Sequence, residues 1–241
     1  MELFHAYLKQ IANLLRCIER QEACYGEIAA KVLACFMKGG FLYTFGTGHA
    51  HLLSLELFYR AGGLVRVAPI LDDDLMLHRS ASASTAYERQ AERAAPLLDR
   101  YGVGATDALL VISNSGRNAL PIEMALEARR RGAYVLALTS VSHPALSRHP
   151  GGKKLAEVAE DALDLFSAPG DACLQLSDGS AICPTSTVVG AAALQLLVAK
   201  IAALADASGI ALETFRSSNV DGGDEANTRY IERYRGQIRS L

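Results

Sequence analysis

Residues 109–118 read Leu-Leu-Val-Ile-Ser-Asn-Ser-Gly-Arg-Asn. An apolar run breaks abruptly into hydroxyl, amide and glycine residues, and Pro121 with a helix-periodic stretch follows at once. A buried strand that turns into a helix at such a corner aims several backbone N–H groups at one point, beside the positive end of the helix dipole. The hydroxyls of Ser113 and Ser115 and the amide of Asn118 add side-chain donors. This set suits a small oxyanion, above all a phosphate. No Gly-Lys-Ser/Thr follows, so the corner is not a Walker loop. An earlier apolar run ends in Gly46-Thr47-Gly48-His49. In open parallel sheets, ligands sit at the carboxyl ends of the strands near the topological switch point. Gly46, Thr47, Gly48 and His49 are therefore expected to face Ser113, Asn114, Ser115, Gly116 and Asn118 across one pocket. Thr139 and Ser140 close another apolar run and are assigned to the same edge.

Acid–base candidates surround this pocket in the sequence. Glu56 falls two helical turns after His49 and faces a similar way. It either touches ligand hydroxyls or fixes the first loop. His78 is a catalytic candidate because an imidazole can serve as acid or base, with a surface histidine as the plainer reading. The run Asp72-Asp73-Asp74 before it reads as a solvated loop. His49 and His51 are two residues apart on a helix and point in different directions, so no metal is expected. Asp221 and Glu225 flank an acidic turn that opens the last predicted helix, where carboxylates are favourable for electrostatic reasons alone. Among the cationic residues, Arg60 and Arg117 are nominated.

The corner Ser113-Asn114-Ser115-Gly116-Arg117, with Asn118 where a threonine is usual, resembles the Ser-x-Ser-Gly-x-Thr signature of the sugar isomerase (SIS) domain family. Phe45-Gly46-Thr47-Gly48-His49-Ala50-His51 resembles the glycine-rich first loop of the same family. Pro184-Thr185-Ser186-Thr187 is similar to the Thr-x-Ser-Thr that opens a late helix in arabinose-5-phosphate isomerases. Leu57–Gly63, Ala168–Ala172 and Asn219–Glu225 extend the resemblance nearly end to end, towards a UPF0309-like branch grouped as phosphosugar isomerases. The resemblance implies a flavodoxin-like SIS fold, a phosphosugar ligand, no cofactor and a dimer or higher homo-oligomer. It implies an aldose–ketose isomerase that abstracts a proton from C2. An N-acetylmuramic acid 6-phosphate etherase and a non-catalytic phosphosugar sensor are the alternatives. Glu88 follows the Ser/Thr-rich segment 80–85 in a place comparable to the catalytic glutamate of those etherases, and it is the first choice of base. Glu56, His49 and His78 are the further catalytic candidates. Asp221 and Glu225 become candidates to complete the pocket, as C-terminal residues do in SIS enzymes, sometimes from the partner subunit.

Composition limits the function classes. The 241 residues are half hydrophobic and carry a net charge of −2. Such a balance argues against a nucleic-acid surface or an anionic membrane, while local phosphate binding needs only backbone amides. Five cysteines without a Cys-x-x-Cys pair read as reduced thiols of a cytoplasmic protein. Glu2, His5 and Lys9 interrupt the N-terminus, so no signal peptide is expected. Gln195 and Lys200 interrupt the apolar stretch 188–205, which reads as a buried helix and not a membrane span.

The elements that must position these residues follow from hydrophobic periodicity. Helical spacing runs through residues 2–38, and Gly39-Gly40 ends it. Residues 1–40 are thus expected to form a helical dimerisation arm, because their apolar face needs a cover. Strands are expected at 41–45, 64–70, 108–113, 134–139 and 162–166, with helices at 49–61, 86–101, 120–131, 155–159, 186–207 and 224–234. Pro96 is placed as a possible break in the second of these helices. Alternation of this kind gives an α/β fold, a three-layer sandwich around a five-stranded parallel sheet. A hairpin is expected around Asp178-Gly179. The SIS domain is set at 41–214 and a C-terminal helical extension at 215–241.

Overall fold

The computed structural model describes residues 2–241. Its centre is a parallel sheet of β1 (Leu42–Gly46), β2 (Val67–Ile70), β3 (Ala108–Ile112), β4 (Tyr134–Thr139) and β5 (Asp161–Asp164), in the order β2-β1-β3-β4-β5. The chain reverses direction across the sheet between β1 and β3, which pair from Leu42 with Ala108 to Gly46 with Ile112. This is the switch point at which the two glycine-bearing loops emerge side by side. Pro69 lies in β2, an edge strand, where a missing N–H costs no ladder bond.

Side chains alternate across the sheet and feed two cores. Leu42, Leu110, Ile112, Leu136 and Leu138 enter one; Tyr43, Phe45, Leu109, Val111 and Val135 enter the other. The first face is covered by α1 (Leu3–Glu19), α2 (Glu22–Met37), α3 (Ala50–Leu57) and the long helix between Ser186 and Ala207. The second face is covered chiefly by α5 (Ala94–Tyr101), α6 (Ala119–Arg130) and α7 (Leu155–Val158). After β5 come the hairpin β6 (Ala172–Gln175) and β7 (Ala181–Pro184), then α8 (Ser186–Ala207) and α9 (Gly223–Tyr234).

Three elements depart from the sequence reading. Residues 22–37 are not an arm: Ile28, Ala29, Val32 and Leu33 of α2 are buried against the sheet and α8. Of the two helices, α1 is the one that exposes an apolar stripe, with Phe4, Leu8 and Leu15 exposed. The helix expected at 86–101 is two helices. α4 (Ala81–Tyr87) starts one turn earlier, where the Ser80 hydroxyl accepts from the Ala83 N–H, and stops at Glu88. Pro96 does not make the break, since it sits in the first turn of α5, where no N–H is needed. The third departure is the extension at 215–241. α9 closes the second core by setting Tyr234 edge-on against Phe41, and Leu64 bridges to Thr214 before β2 begins.

Candidate functional site

The loop after β3 is held from below. Ser113 donates its N–H to Leu138, and the Asn114 carbonyl accepts from the Ser140 N–H at 2.8 Å and the Thr139 hydroxyl at 3.3 Å. The Ser140 hydroxyl donates to Asn114 Oδ1 at 2.9 Å and accepts from the Ser167 N–H. Gly116 turns the loop at φ +58°, and a Cβ there would meet Thr139 Oγ1 at 2.7 Å. Thr139 and Ser140 are therefore supports beneath the loop. The first loop is built as tightly. A Cβ on Gly46 would meet the Ala50 carbonyl at 2.6 Å, and Gly48, at φ +56°, donates to Leu75.

Between these loops lies a cavity of about 320 Å³. Thr47, His49, Glu88, Ser113, Asn114, Ser115 and Asn118 line it, with Ala50, Leu53, Ile112 and Leu165 as apolar wall. The two loops do converge on one pocket. Its floor is the carboxyl edge of β1 and β3, and α6 begins at Ala119 directly beyond the second loop.

Glu88 is the carboxylate fixed most closely between the two loops. Its Oε2 accepts from the Thr47 hydroxyl at 2.8 Å, and its Oε1 accepts from Asn118 Nδ2 at 2.8 Å. The end of α4 brings it there, and the Leu120 N–H of α6 locks the turn by donating to the Glu88 carbonyl. Burial pushes the Glu88 pKa up; the Thr47 hydrogen bond and the charges of Arg89 and Arg148 oppose the rise. The net direction is upward, so this carboxylate is a stronger base than an exposed glutamate. Asn118 is anchored on both sides, because Arg148 Nη1 donates to its Oδ1 at 2.9 Å while its Nδ2 donates to Glu88. One of its two amide hydrogens is thereby committed to Glu88, and the residue still lines the cavity.

The other expected residues divide. His49 stands exposed at the cavity rim. His51 is buried with Nδ1 2.8 Å from the Gly48 carbonyl. Glu56 is turned away from the cavity: Arg60 donates to it at 2.6 Å and Gln195 at 3.1 Å. Glu56 therefore ties α3 to Arg60 and to Gln195 of α8 and has no bond to the first loop. His78 is exposed on the turn before α4 and does not line the cavity. Asp221 and Glu225 are exposed at the opening of α9, beyond a segment that bonds to the residues leading into β2. They do not line this chain's cavity either. The acidic run is structural: Asp72 pairs with Arg93 and Arg100, and Asp74 with Arg93.

Three participants escaped the sequence reading. Asp171 lines the cavity at φ +69°. Its carboxylate accepts from the Thr185 N–H and hydroxyl and from the Ser186 N–H and hydroxyl, so it caps α8 and aims Ser186 and Thr187 at the cavity wall. The signal was present in the segments Ala168–Ala172 and Pro184–Thr187, which were noted without a link between them. His143 lines the far side; burial and the charges of Lys154 and Arg117 push its pKa down, which favours the neutral ring. Arg148 arrives from the long irregular loop between β4 and α7, which carries no periodic signal.

Comparison with known proteins agrees with this architecture. Residues 6–140 match the family model described as SIS domain. A UPF0309 protein of Geobacillus thermodenitrificans is 39% identical over 236 residues, covering 96% of this chain and 95% of its own. A phosphoheptose isomerase from Francisella tularensis superposes with a TM-score of 0.56 at 16% identity, covering 84% of this chain and 99% of the other. The Vibrio vulnificus NanR protein complexed with ManNAc-6P gives a TM-score of 0.51 at 14% identity, covering 99% of this chain and 70% of the other. At those identities the two structures speak for the fold alone. With more than half of its length under one family model and a near-full-length relative at 39% identity, the chain belongs to the SIS domain family.

Proposed function

We propose that this chain binds a phosphosugar in the cavity between the β1 and β3 loops and isomerises it between aldose and ketose. The observation that carries the proposal is Glu88. A half-buried carboxylate with a raised pKa is fixed by two donors beside a loop rich in free N–H and hydroxyl groups. On this reading Ser113, Ser115 and the loop amides hold the phosphate. That anchor places C1 and C2 against Glu88, which removes the C2 proton to give an enediol(ate). The neutral ring of His143 and the rim residue His49 are placed to exchange protons with the sugar oxygens. The proposal uses neither metal nor cofactor, and it places the protein in the cytoplasm.

A lyase of the muramic acid phosphate type is the second reading, favoured by the position of Glu88 at the end of the helix between β2 and β3. It begins with the same C2 proton abstraction. A panel of phosphosugars separates the readings when thermal shift is followed by product analysis. An isomerase interconverts aldose and ketose, whereas a lyase releases lactate from a muramic acid phosphate. Tight binding without turnover would overturn catalysis and leave a sensor. No stabilisation by any phosphosugar would overturn the binding reading itself.

We also propose that the chain assembles as a dimer or larger through the apolar stripe of α1. In such an assembly, Asp221 and Glu225 could serve only a partner's cavity.

A further inference from the structure

Beside the Glu88–Asn118 hydrogen bond, three guanidinium groups gather without acidic partners. Arg89 follows Glu88 and Arg117 precedes Asn118 in the chain. Arg148 is tied to both sides of this junction: its N–H donates to the Arg117 carbonyl at 2.7 Å, and its Nη1 donates to Asn118 Oδ1 at 2.9 Å. Arg117 uses its Nε on the Leu146 carbonyl, which leaves its terminal nitrogens uncommitted. Among the described residues, none of the three makes an ion pair. Nearby arginines differ: Arg93 and Arg100 are neutralised by Asp72 and Asp74. Glu88 is the carboxylate that faces the trio, and its oxygens are bonded to Thr47 and Asn118 instead.

We infer that Arg89, Arg117 and Arg148 form a second anion subsite beside the cavity, next to its lining residues Glu88 and Asn118, so that the phosphosugar carries a further anionic group, a carboxylate or a second phosphate. This inference rests on the phosphosugar reading and narrows it to a substrate class. Like charges held together beside a cavity, in a chain of net charge −2, are repulsive unless an anion joins them. Burial, followed by the charges of Arg117 and Arg89, pushes the Arg148 pKa down, and Glu88 opposes the fall. Planar guanidinium forks suit carboxylate and phosphate oxygens alike. Ser113 and Ser115 line the cavity and none of the three arginines does, so the two anion sites are separate.

Matched ligand pairs test this by calorimetry at low and high salt. Glucosamine 6-phosphate is compared with muramic acid 6-phosphate, which adds a lactyl carboxylate. Fructose 6-phosphate is compared with fructose 1,6-bisphosphate, which adds a phosphate. The expected result is a preference of about 10- to 100-fold for the more anionic member of one pair, shrinking with salt. The pair that shows it identifies the group. Arg89→Gln, which removes a side chain with no structural bond, should erase most of that preference and leave the singly phosphorylated member within about twofold. Arg148→Gln should also lose the preference. Equal binding of both members of both pairs overturns the inference while the phosphosugar reading stands. Equal weakening of both members by Arg89→Gln overturns it too, because the trio would then serve the first phosphate. If none of the four ligands binds, the phosphosugar reading fails and the inference falls with it.

Discussion

Glu88 shows how little of a site's chemistry depends on residue type alone. The chain has many exposed carboxylates, but this one is half-buried at a junction where Thr47 and Asn118 each supply a donor. Because its pKa is raised, ionising it costs folded-state stability. Glu88→Gln should therefore match the parent below the unfolded glutamate value and become relatively more stable as pH rises through the raised value. Chemical denaturation at a series of pH values checks this. Catalysis needs the ionised form, so activity should fall at acidic pH along a limb lying above the ordinary glutamate value. Thr47→Val removes a bond that lowers the pKa, and should move that limb further up. At the phosphate loop, Ser115→Ala should cost about 1.5–3 kcal/mol of phosphosugar binding, read by calorimetry. Ser113, Ser115 and His49 were legible as cavity residues from their loops, and Glu88 only through the family resemblance. The anchoring of Asn118 between Glu88 and Arg148 was not, since Arg148 lies thirty residues away in chain order.

At the scale of elements, the strands were the most legible part. Continuous apolar runs such as Ala108–Ile112 can be satisfied only in a sheet covered on both faces. The corner after β3 was legible for the same reason, because Gly116 and the hydroxyl residues have no other purpose at the end of such a run. Its conformation can be tested directly. Gly116→Ala forces a side chain into the left-handed region against Thr139 Oγ1, and should cost about 1–3 kcal/mol of stability in thermal unfolding and abolish ligand binding. The α4–α5 break was not legible. Nothing between Ala86 and Tyr101 is a strong helix breaker except Pro96, and Pro96 is harmless where it falls. The turn at Glu88 is imposed from outside by the Leu120 N–H, a contact made only after β3 and α6 are in place. The cap of α8 by Asp171 is non-local in the same way: it joins two segments across a hairpin.

For the whole molecule, the three-layer plan followed from alternation, and the strand order follows the flavodoxin-like arrangement implied by the resemblance. α8 is long and apolar enough to span a bilayer by length and composition, yet Val189, Ala193, Leu194, Leu197 and Ile201 are spent on the sheet and its covering helices. The expectation for residues 1–40 split, because helical periodicity cannot tell a helix facing the core from one facing a partner. α2 took the core. On α1, Phe4 is 64% and Leu8 54% exposed, with Leu15 further along the same face. Beside α1 and α8, the Tyr25 hydroxyl is buried without a hydrogen-bond partner. Sedimentation at micromolar concentration should show a dimer or larger species, and Phe4→Glu with Leu8→Glu should shift it towards monomer. A parent chain that sediments as a folded monomer would contradict the assembly proposal.

The proposal that Glu88 removes a proton from C2 is tested most directly by exchange in deuterated water. A phosphosugar that binds in the panel is incubated with the parent and with Glu88→Gln, and deuterium at C2 is followed by NMR. The parent should wash solvent deuterium into C2. Glu88→Gln should bind the same sugar through its intact phosphate loop while exchanging about 10²–10⁴-fold more slowly. Exchange at the parent rate in Glu88→Gln would contradict the account and place the base elsewhere.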